Sequence, residues 1–297
     1  MPGRRRGGGG GVRGAGLRLV LDRSVQYCGP GAPLHRGVPM PAAARTRFTG
    51  RTALVTGGGS GLGRAIALAF AAEGANVVVT GRSEGPLKET VALIEEAGGT
   101  ALAHTADVTR AADVEAAVRA AVDRFGSLDV AVNNAGVFRG GAPVADLAEE
   151  DWHALLDTNV TGVFLALRAE VRQMRAQDGG GAIVNIASNL GAHKRRAGIA
   201  GYVAAKAAVS ALTRGAALDH IQDGVRVNAV SPGPSATAMS LRPGESDADR
   251  TARMKGESPL GRVSDTAEIA AAVLYLASDD AASVVGTDLV VDGGASA

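Results

Sequence analysis

The chain has a single cysteine, Cys28, so no intrachain disulfide can form and nothing in its thiol content points to an oxidising compartment. Aromatic residues are scarce, at 3% against an apolar content of 46%. Ala, Val, Leu and Ile must therefore fill the core, which suits helices packed closely on a buried sheet better than an aromatic-rich sandwich. No uninterrupted apolar run reaches the ~18 residues that a membrane-spanning helix needs. His104, His153 and His220 are scattered, without ligand-spaced cysteines or carboxylates, so no metal site is expected. These absences lead to the expectation of a cytoplasmic protein with no membrane partner.

The net charge of +1 conceals an asymmetry. Residues 1–49 hold nine arginines and one acid, Asp22, a balance of +8; removing them from the 31 basic and 30 acidic residues leaves 22 against 29, or −7. The remainder is acidic, so no nucleic-acid partner is expected. Residues 1–48, with the Arg4-Arg5-Arg6 cluster, the Gly7 to Gly11 run and dispersed prolines, have the composition of a disordered extension that builds no core. Two further readings of this stretch stand side by side: an Arg-rich transit peptide, and a misassigned start with Met40 as the natural N-terminus. Residues 49–297 form the expected catalytic domain.

From Thr52 onward, short apolar runs alternate with segments of helical period. The runs are Ala53 to Thr56, Asn76 to Thr80, Ala101 to His104, Leu128 to Asn133, Ala182 to Ala187, Val225 to Val230 and Asp288 to Val291. Helical periodicity marks Leu62 to Glu73, Leu87 to Ala97, Ala112 to Phe125 and Tyr202 to Leu218. Strands that are apolar on both faces belong to a parallel sheet covered by helices. The expected fold is α/β, a single doubly wound parallel-sheet domain of the Rossmann type.

The first run leads into Thr56-Gly57-Gly58-Gly59-Ser60-Gly61-Leu62-Gly63 and then a helix. Glycines let the backbone approach a diphosphate closely, and the helix start presents unpaired N–H groups and a positive dipole end. At the tip of the second strand, where an acid would read a ribose 2′-hydroxyl, the chain has Arg82 and Ser83. A guanidinium and a hydroxyl suit a 2′-phosphate instead. The expected cofactor is NADP(H), with NAD(H) as the alternative because Glu84 lies nearby.

Tyr202 and Lys206 stand four apart in a helical run and so share a face. A phenol titrates near pH ~10, and an adjacent ammonium favours its ionised form, which fits Tyr202 for proton exchange with a carbonyl or alcohol oxygen. Ser188, at the end of a strand, can hydrogen-bond the reacting oxygen.

Over residues 48–297 the chain resembles the classical short-chain dehydrogenases/reductases. The resemblance rests on the glycine turn, Asp107-Val108, Asn133-Asn134-Ala135-Gly136, Asn159 in Asn-Val-Thr-Gly, Ser188, Tyr202-Val-Ala-Ala-Lys206, Pro232-Gly233 with Thr237, and Val291-Asp-Gly-Gly294. It implies a catalytic tetrad of Asn159, Ser188, Tyr202 and Lys206, with Lys206 also on the nicotinamide ribose. It further implies cofactor contacts from Gly57, Ser60, Gly61, Leu62, Gly63, Arg82, Asp107, Val108, Asn134, Ala135, Gly136, Tyr202, Lys206, Pro232, Gly233 and Thr237. The implied activity interconverts a ketone and a secondary alcohol in a small molecule, and the implied assembly is a homotetramer. An NAD-dependent dehydrogenase of a sugar or cyclic alcohol is the neighbouring reading; a cofactor-binding scaffold or sensor without turnover is the reading of a different class.

One segment departs most from the shared pattern, and another bears on substrate access. His193-Lys194-Arg195-Arg196, between the serine and the tyrosine, is a basic cluster that would favour an anionic substrate. The polar stretch from Ala238 to about Ser258 reads as a flexible lid over the substrate.

Overall fold

The computed structural model describes residues 46–297 other than Gly140, together with Gly3. The described residues from 46 onward belong to one compact unit; the expectations for the Arg-rich extension and for Met40 fall almost wholly outside the described residues. Phe48, placed in that extension on composition, is fully buried and packs edge-on against Phe70, with ring centroids 4.9 Å apart. Arg47 pairs with Glu73, so the packed chain begins before residue 49.

The elements alternate in the first half as β1 (Thr52–Thr56), α1 (Gly61–Ala72), β2 (Asn76–Gly81), α2 (Glu84–Glu96), β3 (Thr100–Thr105), α3 (Ala111–Phe125) and β4 (Val130–Asn133). There follow α4 (Glu149–Leu156), a π-helical turn (Asp157–Thr161), α5 (Gly162–Ala176), β5 (Gly181–Ile186), α6 (Ala200–His220), β6 (Val225–Pro232), α7 (Asp247–Glu257), α8 (Thr266–Ala277) and β7 (Asp288–Val291). The seven strands form one parallel sheet in the order β3-β2-β1-β4-β5-β6-β7.

Strand side chains alternate between two cores, one on each face of the sheet. Leu54, Val78, Ala131, Ile183 and Val227 join Val114 and Val118 of α3, Val163 and Leu167 of α5 and Val209 of α6. Ala53, Val55, Val77, Val79, Val132 and Val184 join Ile66 and Phe70 of α1, Leu87 and Ile94 of α2 and Ile269 and Val273 of α8. Burial of each such side chain contributes roughly 1.5–3 kcal/mol, which is how a core nearly devoid of aromatics holds the sheet. Strand order reverses between β1 and β4, and in open parallel sheets the crevice at that switch point, beyond the carboxyl ends of the strands, is where ligands bind.

Candidate active site

Beyond β1, the glycine turn closes tightly on itself and on β4. Gly57 has φ +67°, and a Cβ there would sit 2.9 Å from Asn134 Nδ2. A Cβ on Gly63 would run into the Gly57 carbonyl and stand 2.5 Å from the same amide nitrogen. Thr56 Oγ1 accepts from the backbone N–H groups of Asn134 and Ala135, each at 3.0 Å, while Asn134 Nδ2 donates to Thr56 O at 2.9 Å. The ends of β1 and β4 are thereby fastened together. From the other side, Thr90 Oγ1 donates to Gly58 O at 2.9 Å and the Arg64 guanidinium donates to Gly59 O. The sequence motif begins at Thr56 without giving it this fastening role, and it did not single out Arg64 on α1 or Thr90 on α2.

The N-terminus of α1 fits an anion. Its first turn carries no acid, and the Ser60 hydroxyl at the N-cap position makes no capping bond. A Cβ at Gly61 would meet only Thr237, at 3.5 Å, so the mouth of the turn opens toward Thr237 on the loop after β6. Gly233 lies on that loop beside Asp292, and its N–H donates to Val291 O at 3.0 Å. Leu62 is partly buried among the α1-side core residues.

At the tip of β2, Arg82 and Ser83 are both exposed, and the Ser83 side chain makes no capping bond to α2. Glu84 is paired with Lys88 at 2.8 Å. Asp107 accepts from Thr109 N at 3.0 Å and Thr109 Oγ1 at 2.8 Å. The Thr109 bonds hold its carboxyl below the usual carboxylate range, with Arg82 adding a smaller Coulombic pull. Val108 packs beneath, with its side chain 2.9 Å from where a Gly162 Cβ would lie, and belongs to the core rather than to an open wall.

Asn159 and Lys206 meet over Gly136. A Cβ added there would lie 2.9 Å from Asn159 Oδ1 and 3.5 Å from Lys206 Nζ. Asn159, fully buried in the π-helical turn, is clamped to Val137 by two bonds, accepting from its N–H at 3.0 Å and donating to its carbonyl at 2.9 Å. Ser188 Oγ accepts from Leu190 N at 3.1 Å and lies within hydrogen-bonding reach of Tyr202. Phe138 stands edge-on to the tyrosine, ring centroids 5.1 Å apart.

Electrostatics here correct one expectation. Burial pushes the Tyr202 phenol above its ordinary value, against the opposing Ser188 bond, rather than below it. The Lys206 ammonium donates to Ile186 O at 2.8 Å, and burial lowers its pKa to about 8. The pair shares a helix face, as the spacing required, and desolvation is the largest influence on both groups.

The basic cluster also differs from expectation. Lys194 stays exposed but donates to Ala295 O at 2.6 Å, and His193 Nε2 lies 2.9 Å from the buried carboxylate of Asp288, outside hydrogen-bonding geometry. Arg195 and Arg196 stay exposed. Half of the cluster thus braces the C-terminal segment. The polar stretch expected as a lid contains α7, which carries a Ser246–Asp249 capping box, and Arg253 bridges Glu245 and Glu257.

The family model described as enoyl-(acyl carrier protein) reductase matches residues 57–296. The cis-4-hydroxycyclohexanecarboxylate dehydrogenase of Sinomonas cyclohexanicum is 42% identical over 83% of this chain and 97% of its own. The chain belongs to the short-chain dehydrogenase/reductase family. The cyclohexanol dehydrogenase of an Acinetobacter strain is 39% identical, over 83% of this chain and 95% of its own. Among solved structures, levodione reductase superposes with a TM-score of 0.79 at 38% identity, over 84% of this chain and 98% of that one. Like other short-chain dehydrogenases/reductases, this one is an oxidoreductase acting on CH–OH groups with a nicotinamide cofactor. Among the described residues no helix is long and apolar enough to cross a membrane and no metal-binding cluster of His, Cys, Asp and Glu occurs.

Proposed function

We propose that the protein interconverts a ring-borne secondary alcohol and its ketone, with NADP(H) preferred over NAD(H). The observation that carries this reading is the meeting of Asn159 and Lys206 over Gly136, with Ser188 in hydrogen-bonding reach of Tyr202 one helical turn from Lys206, and an acid-free helix start at the glycine turn. The names of two relatives, a cyclohexanol dehydrogenase and a hydroxycyclohexanecarboxylate dehydrogenase, support an alicyclic substrate. Exposed Arg82 and Ser83, with Glu84 already engaged by Lys88, support the 2′-phosphate.

The nicotinamide cofactor, when bound, supplies or accepts the hydride. Its diphosphate would rest on the N–H groups of Ser60 to Gly63, its adenosine end near Arg82, Asp107 and Val108, and its nicotinamide end near Asn134 to Gly136 and Pro232 to Thr237. Ser188 Oγ–H donates to the substrate oxygen and fixes it beside Tyr202. As the carbonyl carbon is reduced, its oxygen takes the Tyr202 proton; in the oxidative direction Tyr202 takes the alcohol proton. Lys206, already close to losing its own proton, lies on the route by which Tyr202 is reprotonated, and Asn159 holds the turn through which water reaches it. Edge-on Phe138 presents an apolar wall to the substrate ring. A cytoplasmic homotetramer is the proposed assembly, on the family resemblance.

The test is fluorescence titration of NADPH and NADH against wild type and Arg82→Ala. Tighter NADPH binding that falls about tenfold or more in the variant, the equivalent of one charge-assisted contact, is the expected result. Equal or tighter NADH binding overturns the preference.

A further inference from the structure

Glu170 lies on α5 with its side chain wholly removed from solvent. A carboxyl so placed needs a counter-charge or a proton. Among the described residues no charged group contributes to its titration and its one hydrogen-bond partner is Asn133; burial pushes its pKa up to about 7. Charged side chains on the surrounding elements are engaged or directed elsewhere. On α3, Glu115 pairs with Arg168 of α5, while Arg119 and Arg172 line an outer groove between these helices. On α6, Lys206 donates to Ile186 O, His220 pairs with Asp223, and Arg214 and Asp219 are exposed. Arg226 of β6 donates to Leu276 O and Ser278 O, and Asp157 of the π-helical turn is exposed.

The carboxyl heads a buried polar chain. Asn133 Nδ2 donates to Glu170 Oε2 at 2.9 Å and to Asn185 Oδ1 at 3.0 Å; Asn185 Nδ2 donates to Thr213 Oγ1 at 2.9 Å, which donates onward to Val209 O at 2.8 Å. Two buried oxygens in the chain have no partner among the described residues, Glu170 Oε1 and Asn133 Oδ1. An ionised carboxylate only accepts and leaves both without a donor; a protonated one brings an O–H. Asn133 and Asn185 face each other in register at the ends of β4 and β5. The backbone runs from them directly into Asn134–Gly136 on one strand and Ile186–Ser188 on the other.

We propose that Glu170, held as a neutral carboxylic acid, is a positioning residue that ties the ends of β4 and β5 into one frame and so sets the Gly136 strip against the Ser188 turn. Its ionisation removes the carboxyl O–H from the head of that chain and loosens both segments. Only the activity arm of the test rests on the hydride-transfer reading.

The experiment compares wild type with Glu170→Gln, which keeps the shape and a donor but does not titrate. Infrared difference spectra should show a protonated-carboxyl stretch in wild type that is absent from the variant and fades as pH rises through about 7. Amide exchange at residues 134–136 and 188–190 should be equal in the two proteins near pH ~6 and about tenfold faster in wild type near pH ~9, where Glu170 is ionised. The kcat/KM ratio of wild type to variant should fall over the same interval. Absence of the carboxyl band, or equal exchange at both pH values, overturns the proposal. Loss of turnover in both proteins with the band and the exchange difference intact would instead count against the hydride-transfer reading.

Discussion

The role proposed for Lys206 sets catalysis and stability against each other. It is buried, its pKa is lowered to about 8 from 10.5, and burial alone is the cause. At ~1.36 kcal/mol per pKa unit, holding the ammonium in the fold costs about 3 kcal/mol at neutral pH. Replacing it with Met removes that cost and keeps the apolar stem, but leaves Ile186 O without the 2.8 Å ammonium bond, a loss of about 1–2 kcal/mol. Lys206→Met should therefore be more stable at pH ~7 by about 2 kcal/mol, a rise in melting temperature of about 4–8 °C for a domain of this size. The sign with pH follows from a folded pKa below the unfolded one. The penalty is complete below about pH 8 and disappears as the folded lysine gives up its proton toward pH ~10.5, so the advantage of the variant should shrink over that interval. Hydride transfer should fall by about 100-fold or more. Calorimetric melting at pH ~7 and ~10 with a steady-state assay tests both halves. A variant that melts below wild type at neutral pH, or a gap indifferent to pH, refutes the reasoning.

Gly63→Ala should lose dinucleotide affinity by about tenfold or more and destabilise the fold by about 1–3 kcal/mol, since its Cβ meets the Gly57 carbonyl; titration calorimetry and melting read the two effects. Asp292 accepts from Asn189 Nδ2 at 3.1 Å, Ser296 Oγ at 2.6 Å and Gly294 N at 3.0 Å, so it couples the C-terminal segment to the residue after Ser188. Asp292→Ala should cost about 1–3 kcal/mol and lower kcat more than it raises cofactor KM, which melting and kinetics will show. Arg253→Ala removes the bridge between Glu245 and Glu257; limited proteolysis should then cut residues 241–258 faster, with the melting temperature of the core unchanged.

The seven strands were legible in the sequence because a sheet buried on both faces requires continuous apolar runs, and observed ends differ from expected ones by a residue or two, as at Gly181–Ile186 and Val225–Pro232. The glycine turn and the Ser188–Tyr202–Lys206 spacing were equally legible, since each residue type there answers a local geometric demand. Less visible was whatever depends on partners far along the chain. The segment after Thr237 looked like a flexible lid because its residues are polar, yet Arg250 and Met254 are buried and ion pairs order α7. His193 and Lys194 looked like substrate contacts, and only the return of the C-terminal segment shows them turned toward Asp288 and Ala295. Glu170, one acid within an otherwise amphipathic helix, gave no sign that it faces inward.

The central claim, proton transfer by Tyr202 in a nicotinamide-dependent reaction, is tested most directly by Tyr202→Phe. That change keeps the ring against Phe138 and removes only the hydroxyl. Oxidation of NADPH with a cyclohexanone-type ketone, followed by absorbance alongside cofactor titration, should show unchanged binding and a rate lower by about 10²- to 10⁴-fold. Turnover within about twofold of wild type at equal cofactor affinity would contradict the account, because general acid catalysis by this hydroxyl leaves no room for so small a loss.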